Sequence, residues 1–156
     1  MAIYFFDTSA LVKRYVKEDG TDWVQSIVDP QAGNDIYLAE ITLVEVISAI
    51  KKCERSTGVS KISKNDATNF TSQFRYDFSN QYLSLQVKSE NIAQAADLVE
   101  QHKLRAYDAV QLAVAIELFD DYQTQGIQIT FVSADNDLLT AASAESLQTE
   151  NPSNYP

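Results

Sequence analysis

IYFFDTSALVKRY, residues 3–15, passes without a break from an apolar strand to a polar turn to a helix. Ile3–Phe6 is β-branched and aromatic on both faces, which suits the middle of a parallel sheet and not an edge. The polar run starts at its carboxyl end. There Asp7, Thr8 and Ser9 turn the chain and cap a helix whose apolar side carries Leu11, Val12 and Tyr15, with Lys13, Arg14 and Lys17 facing out. In open α/β sheets ligands bind outside the carboxyl ends of the strands, so Asp7 stands either as a helix cap or as a carboxylate placed for chemistry.

Working outward, the pattern of strand, polar turn, acid and helix recurs once. Residues 127–132 read as a strand, Ser133-Ala134-Asp135-Asn136-Asp137 as the turn, and 138–142 as a short helix. Between these ends lie a helix from Trp23 towards Pro30, a short strand over 36–38, and a helix over Thr42–Arg55 with Leu43, Val46, Ile47 and Ile50 at helical spacing. Glu45 sits on that helix one turn before Ser48 and Ala49, small residues that leave open space on its face. Ser63 opens a helix with Phe70, Phe74 and Phe78 at successive i+4 positions, a stripe that is either core or a partner-facing groove. An alternating strand over 82–87 follows, then a helix capped by Ser89 and running to about His102. Residues 104–119 form the longest helical pattern, and Asp108 breaks its inner face near the start. As a complement to the helix dipole that acid contributes a few tenths to about 1 kcal/mol; buried without a partner it is far more costly. The end, ESLQTENPSNYP, reads as a short extended piece and a tail, so one domain is expected over 1–148 with a tail over 149–156.

The 156 residues carry a formal net charge of −10, which argues against a nucleic-acid partner in bulk. The distribution tempers this: Lys51, Lys52, Arg55, Lys61 and Lys64 crowd one segment, Lys13, Arg14 and Lys17 another, and no Lys or Arg follows Arg105. Cys53 is the single cysteine, so neither an intrachain disulfide nor a cysteine metal cluster is expected. The chain opens MAIYFFD without a basic leader, and its apolar run over 109–119 is broken by Gln111 and Glu117, so a soluble cytoplasmic protein is expected. His102, the only histidine, reads as a solvated helix-end residue.

Asp7 and Asp135 at strand ends, with Glu45 and Asp108 early in apolar helices, can be gathered at one edge of a sheet. Four such carboxylates need a counter-charge. Oxygen ligands without His or Cys suit Mg2+ or Mn2+, water and substrate phosphate completing the shell, and metal-assisted hydrolysis needs no histidine base.

FFDTSALVKRY, TLVEVISAI, LRAYDAVQLAVA and FVSADNDLL, in that order, resemble the PIN-domain family, and within it VapC-type toxins of toxin–antitoxin pairs. The resemblance implies a single PIN domain, an α/β fold built as a Rossmann-like three-layer α/β/α sandwich with a mostly parallel central sheet. It implies a Mg2+- or Mn2+-dependent endoribonuclease whose acidic set maps onto Asp7, Glu45, Asp108 and Asp135, with Asp137 as an additional ligand and Ser9 and Ser133 as supporting hydroxyls. It also implies an RNA substrate, a homodimer and a cognate antitoxin. Arg14 and Arg105, beside acidic motifs, are expected either to pair with a site carboxylate or to guide phosphate. A strand-end Asp also begins haloacid-dehalogenase phosphatases, but Ser9 stands where they have a second Asp; a receiver domain would want a lysine late in the chain. The remaining rival is a PIN-like binding module that holds a structural cation and does not cut.

Overall fold

Phe5 and Phe6 are neighbours in sequence, both fully buried, and they face two different cores. The strand that carries them is therefore covered on both sides, as successive side chains of a strand point to opposite faces. The structure, a computed structural model, describes residues 1–156. Its strands are β1 (Ile3–Phe6), β2 (Asp35–Ala39), β3 (Leu83–Leu85), β4 (Ile129–Val132) and β5 (Gln148–Glu150). They form one sheet in the order β3-β2-β1-β4-β5, parallel throughout. From β1 the order runs one way to β2 and the other way to β4, so the crevice at the carboxyl ends of β1 and β4 is the switch point of the sheet.

On one face lie α1 (Thr8–Leu11), α2 (Thr21–Val28), α3 (Thr42–Arg55) and α4 (Lys64–Asn80), around Phe6, Leu38, Val46, Ile50 and Phe74. On the other lie α5 (Ser89–Gln101), α6 (Ala106–Gln123) and α7 (Asn136–Ala144), around Phe5, Leu112, Phe131 and Leu138. The result is a three-layer α/β/α sandwich. The aromatic stripe of α4 belongs to the core: Phe74 is fully buried, its ring edge-on to Tyr15 with centroids 5.4 Å apart, and Phe70 and Phe78 pack against the same cluster.

Several elements are trimmed or shifted relative to the sequence reading. The alternating run over 82–87 pairs only through Leu83–Leu85, since β3 is an edge strand with a single neighbour. Lys88, not Ser89, is the cap of α5, and the Asn91 side chain accepts from its backbone N–H at 2.8 Å. Thr149 and Glu150, beyond the boundary read from sequence, pair with β4, and Ser133 N–H donates to the Glu150 carbonyl at 3.1 Å. The chain end then docks on α2, where the Trp23 and Tyr155 rings stack with centroids 4.9 Å apart. Gly20 makes room for this: its φ is 87°, and a Cβ there would lie 2.4 Å from the Pro152 carbonyl oxygen.

The cations of the first helical segment do not all face out. Lys13 is buried, and its Nζ donates to Glu18 Oε2 at 3.0 Å and to the Asp19 carbonyl at 2.9 Å. The cause is local geometry. α1 ends at Leu11 and Val12–Arg14 is a 3-10 turn, which winds at 3.0 residues per turn and rotates the later side chains away from their α-helical places.

Candidate active site

Asp7 follows β1 directly and caps α1. Its N–H extends the sheet ladder to the Val132 carbonyl at 3.0 Å. Its carboxylate is held by three donors: Ala10 N–H at 2.9 Å to Oδ1, the Ser133 hydroxyl at 2.8 Å to Oδ2, and the Ser9 hydroxyl, whose single hydrogen lies between Oδ1 at 2.9 Å and Oδ2 at 2.8 Å. The same hydroxyls tie in the turn after β4, since Ala134 N–H donates to Ser9 Oγ at 2.9 Å and Asp135 N–H to Ser133 Oγ at 3.0 Å. Asp135 in turn caps α7 by accepting from Leu138 N–H at 3.1 Å. The carboxylates at the ends of β1 and β4 are thus both helix caps.

Glu45 and Asp108 stand in the first turns of α3 and α6. Gln111, almost wholly buried one turn beyond Asp108, bridges the two layers: its Nε2 donates to Glu45 Oε1 at 2.8 Å and to Thr42 Oγ1 at 2.9 Å. Its Oε1 is buried without a partner. The four acids Asp7, Glu45, Asp108 and Asp135 line one cleft of about 360 Å3, and Lys52 and Arg105 line it with them. Volume does not single this cleft out, because grooves beside Arg14 and beside Tyr76 measure about 370 and 380 Å3. Neither of those contains an acid.

Burial pushes the Asp7 carboxyl up to about 7 despite its hydrogen bonds to Ala10, Ser133 and Ser9, and the charge of Asp108 adds to the rise. Burial also raises Glu45, partly offset by the Gln111 bond, and raises Asp108, to which Asp135 adds repulsion and Arg105 brings partial relief. None of the four acids makes an ion pair. The donors are hard oxygens carrying uncompensated charge, which fits a divalent cation such as Mg2+ or Mn2+ better than a softer metal. As they stand, no three of the chain's acids, histidine or cysteine are close enough together to hold an ion.

The remaining expected site residues divide. Ser9 and Ser133 are at the site, bonded to Asp7. Arg105 reaches the cleft but pairs with no carboxylate. Arg14 is elsewhere: its Nε donates to the buried Asp77 at 3.3 Å, beside the Tyr15 hydroxyl that donates to the same carboxylate at 2.7 Å. Asp137 is exposed, outside the cleft, and pairs with Lys103 at 3.3 Å. Reading the sequence missed Gln111 and Lys52 as site residues. Gln111 had left a signal as the polar break in the apolar run over 109–119, and Lys52 as the residue one turn past Ala49 on the Glu45 face.

A parallel α/β/α sandwich with an acidic cleft at its switch point defines a class of protein, and comparison narrows it to a family. The PIN domain family model matches residues 4–144, and the chain belongs to the PIN-domain family. Among solved structures, VapBC2 from Rickettsia felis bound to a DNA fragment from its promoter is similar at a TM-score of 0.60 and 16% identity, over 96% of this chain and 98% of that one. A toxin–antitoxin complex from Klebsiella pneumoniae is similar at a TM-score of 0.52 and 19% identity, over 88% of this chain and 89% of that one. At these identities the likeness is one of fold. No curated protein matches the sequence significantly. No helix is long and apolar enough to cross a membrane.

Proposed function

We propose that the protein is a Mg2+- or Mn2+-dependent endoribonuclease, the toxin of a VapBC-type toxin–antitoxin pair. PIN domains are generally nucleases. The observation that carries the reading is the convergence on one cleft of four unpaired carboxylates from four separate elements: the ends of β1 and β4 and the first turns of α3 and α6. The rival, a binding module holding a structural cation on the same acids, would bind metal and leave RNA intact, so cleavage separates the two readings.

In this reading Asp7, Glu45, Asp108 and Asp135 would hold the metal. A bound divalent ion lowers the pKa of a coordinated water and neutralises charge on phosphate oxygens. Ser9, Ser133 and Ala10 N–H fix the Asp7 carboxylate at both oxygens, so its direction is set before substrate arrives. Gln111 holds Glu45 at one oxygen, Oε1, from α6. The toxin assignment draws on the fold shared with the Rickettsia and Klebsiella complexes. It brings with it an RNA substrate in the cytoplasm, a cognate antitoxin as partner, and a homodimer as the assembly.

The test is cleavage of total cellular RNA by the purified protein with Mg2+, with Mn2+ and with chelator. Cleavage in metal only, abolished in Asp7→Asn and Glu45→Gln, is the expected result. RNA left intact with both ions, or cut as well by Asp7→Asn, overturns the proposal.

A further inference from the structure

Asp7 is held by donors from three residues and Glu45 by Gln111, but the Asp135 carboxylate accepts only from Leu138 N–H of its own helix. Its place therefore depends on where the turn over residues 133–136 is held. Two consecutive residues hold that turn on either side of it. The Glu150 carbonyl accepts from Ser133 N–H at 3.1 Å, two residues before Asp135, and Asn151 Nδ2 donates to Asn136 Oδ1 at 3.1 Å, one residue after it. Asn151 is itself fixed, since its Oδ1 accepts from Ser153 N–H at 2.9 Å and closes a 3-10 turn over Pro152–Asn154.

The same segment is anchored in the opposite layer. Pro152 is buried against Gly20, the left-handed cap of α2, where any side chain would collide with the Pro152 carbonyl. Three residues on, the Tyr155 ring stacks on Trp23 of α2 with the two planes 5° apart. Residues 150–155 thus run from the β5 edge of the sheet to α2 on one face, while Asn151 reaches the first residue of α7 on the other. A hydrogen bond between two polar side chains near the surface is weak when both must be ordered to form it. Here the Pro152 contact and the ring stack confine Asn151 beforehand, so the bond forms on a segment already in place. No residue of α2 lines the acidic cleft, and none beyond Asp135 does.

We infer that residues 150–155 form a clasp that positions Asp135, with Asn151 as the positioning residue and the start of α2 as its anchor, so that packing on α2 sets the affinity of the cleft for a divalent cation. This rests on the nuclease reading above, in which the four acids would share a metal.

The experiment measures Mn2+ binding by electron paramagnetic resonance, and hydrogen exchange over residues 133–138 in chelator. The proteins are the wild type, Asn151→Ala, Asn136→Ala, their double variant, Tyr155→Ala and a control, Phe74→Leu, a core change on α4, which does not line the cleft. Asn151→Ala and Asn136→Ala should each weaken Mn2+ binding about fivefold, the weight of one hydrogen bond, and the double variant no further. Tyr155→Ala should weaken it by a similar factor and shift the emission of Trp23, the single tryptophan. Exchange over 133–138 should quicken in all four variants of the clasp. Phe74→Leu should lower the melting temperature and leave Mn2+ affinity and that exchange as in the wild type. Unchanged Mn2+ affinity in Asn151→Ala or Tyr155→Ala, losses that add in the double variant, or an equal loss in Phe74→Leu overturns the clasp as a positioning device and leaves the nuclease reading standing on wild-type cleavage. If the wild type binds no Mn2+, the nuclease reading falls and exchange decides the clasp: faster exchange in Asn151→Ala and Tyr155→Ala sustains it, and unchanged exchange removes it.

Discussion

The Ser133 hydroxyl donates to Asp7 Oδ2 at 2.8 Å, joining residues 126 positions apart and tying the carboxyl end of β4 to that of β1. The bond spans the switch point of the sheet, and both partners are buried. Ser133→Ala removes that donor and the acceptor of Asp135 N–H together. A hydrogen bond to a charged group contributes about 1.5–3 kcal/mol, so urea unfolding at pH 8, above the raised Asp7 value of about 7, should show a loss of about 2 kcal/mol. A variant as stable as the wild type would mean that the turn after β4 is held by other contacts.

Stability without metal should rise as the pH falls from 8 to 5. Burial lifts Asp7 from 3.8 to about 7, so the native state keeps a proton that the unfolded chain releases. A raised carboxyl pKa contributes stability that is fully present below the unfolded value and is lost as pH rises through about 7. The upper limit is about 4 kcal/mol, and the raised Glu45 and Asp108 act in the same direction. Urea midpoints in chelator at pH 5.5 and 8 check this. A wild-type midpoint that is flat or higher at pH 8 would contradict it, and Asp7→Asn should flatten the profile.

Metal should reverse that deficit. At pH 8 in chelator, Asp7→Asn and Asp108→Asn are expected to melt at or above the wild type, because each removes a charge from a crowded cleft. Mg2+ or Mn2+ should then raise the wild-type melting temperature and scarcely move the variants. A ligand at a hundredfold excess over its Kd stabilises the state that binds it by about 2.7 kcal/mol. Equal metal responses in wild type and variants would remove the shared site.

Arg14 should matter to stability and not to cleavage. Its partner Asp77 is buried and also accepts from Tyr15 and from Gln73, the latter at 2.7 Å. Arg14→Met leaves that carboxylate without its cation, which should cost about 3 kcal/mol of unfolding free energy. Cleavage per folded molecule should stay within twofold of the wild type. A tenfold loss of cleavage at full folding would return Arg14 to the substrate path.

The sequence determined by itself what depends on local pattern. Ile3–Phe6, apolar on both faces, marks a central parallel strand, and Leu43, Val46, Ile47 and Ile50 mark the helix at Thr42–Arg55, both matched by the structure. Asp7, Glu45, Asp108 and Asp135 were legible as acids at strand ends and helix starts, because such positions in an α/β sheet share one edge whatever the details of packing. Tertiary structure decided which neighbours join them. Lys13 and Arg14 look solvent-facing on an α-helical wheel, but a 3-10 turn turns Lys13 inwards and sends Arg14 to Asp77, a residue 63 positions away. Asp137 shares its turn with Asp135 but lies outside the cleft, since only the capping residue points back along the helix start. Gln111 and Lys52 line the same cleft only because α6 and α3, on opposite faces of the sheet, meet over the end of β1. Periodicity assigns a side chain to a face of its own helix; which element that face meets depends on contacts between residues distant in sequence.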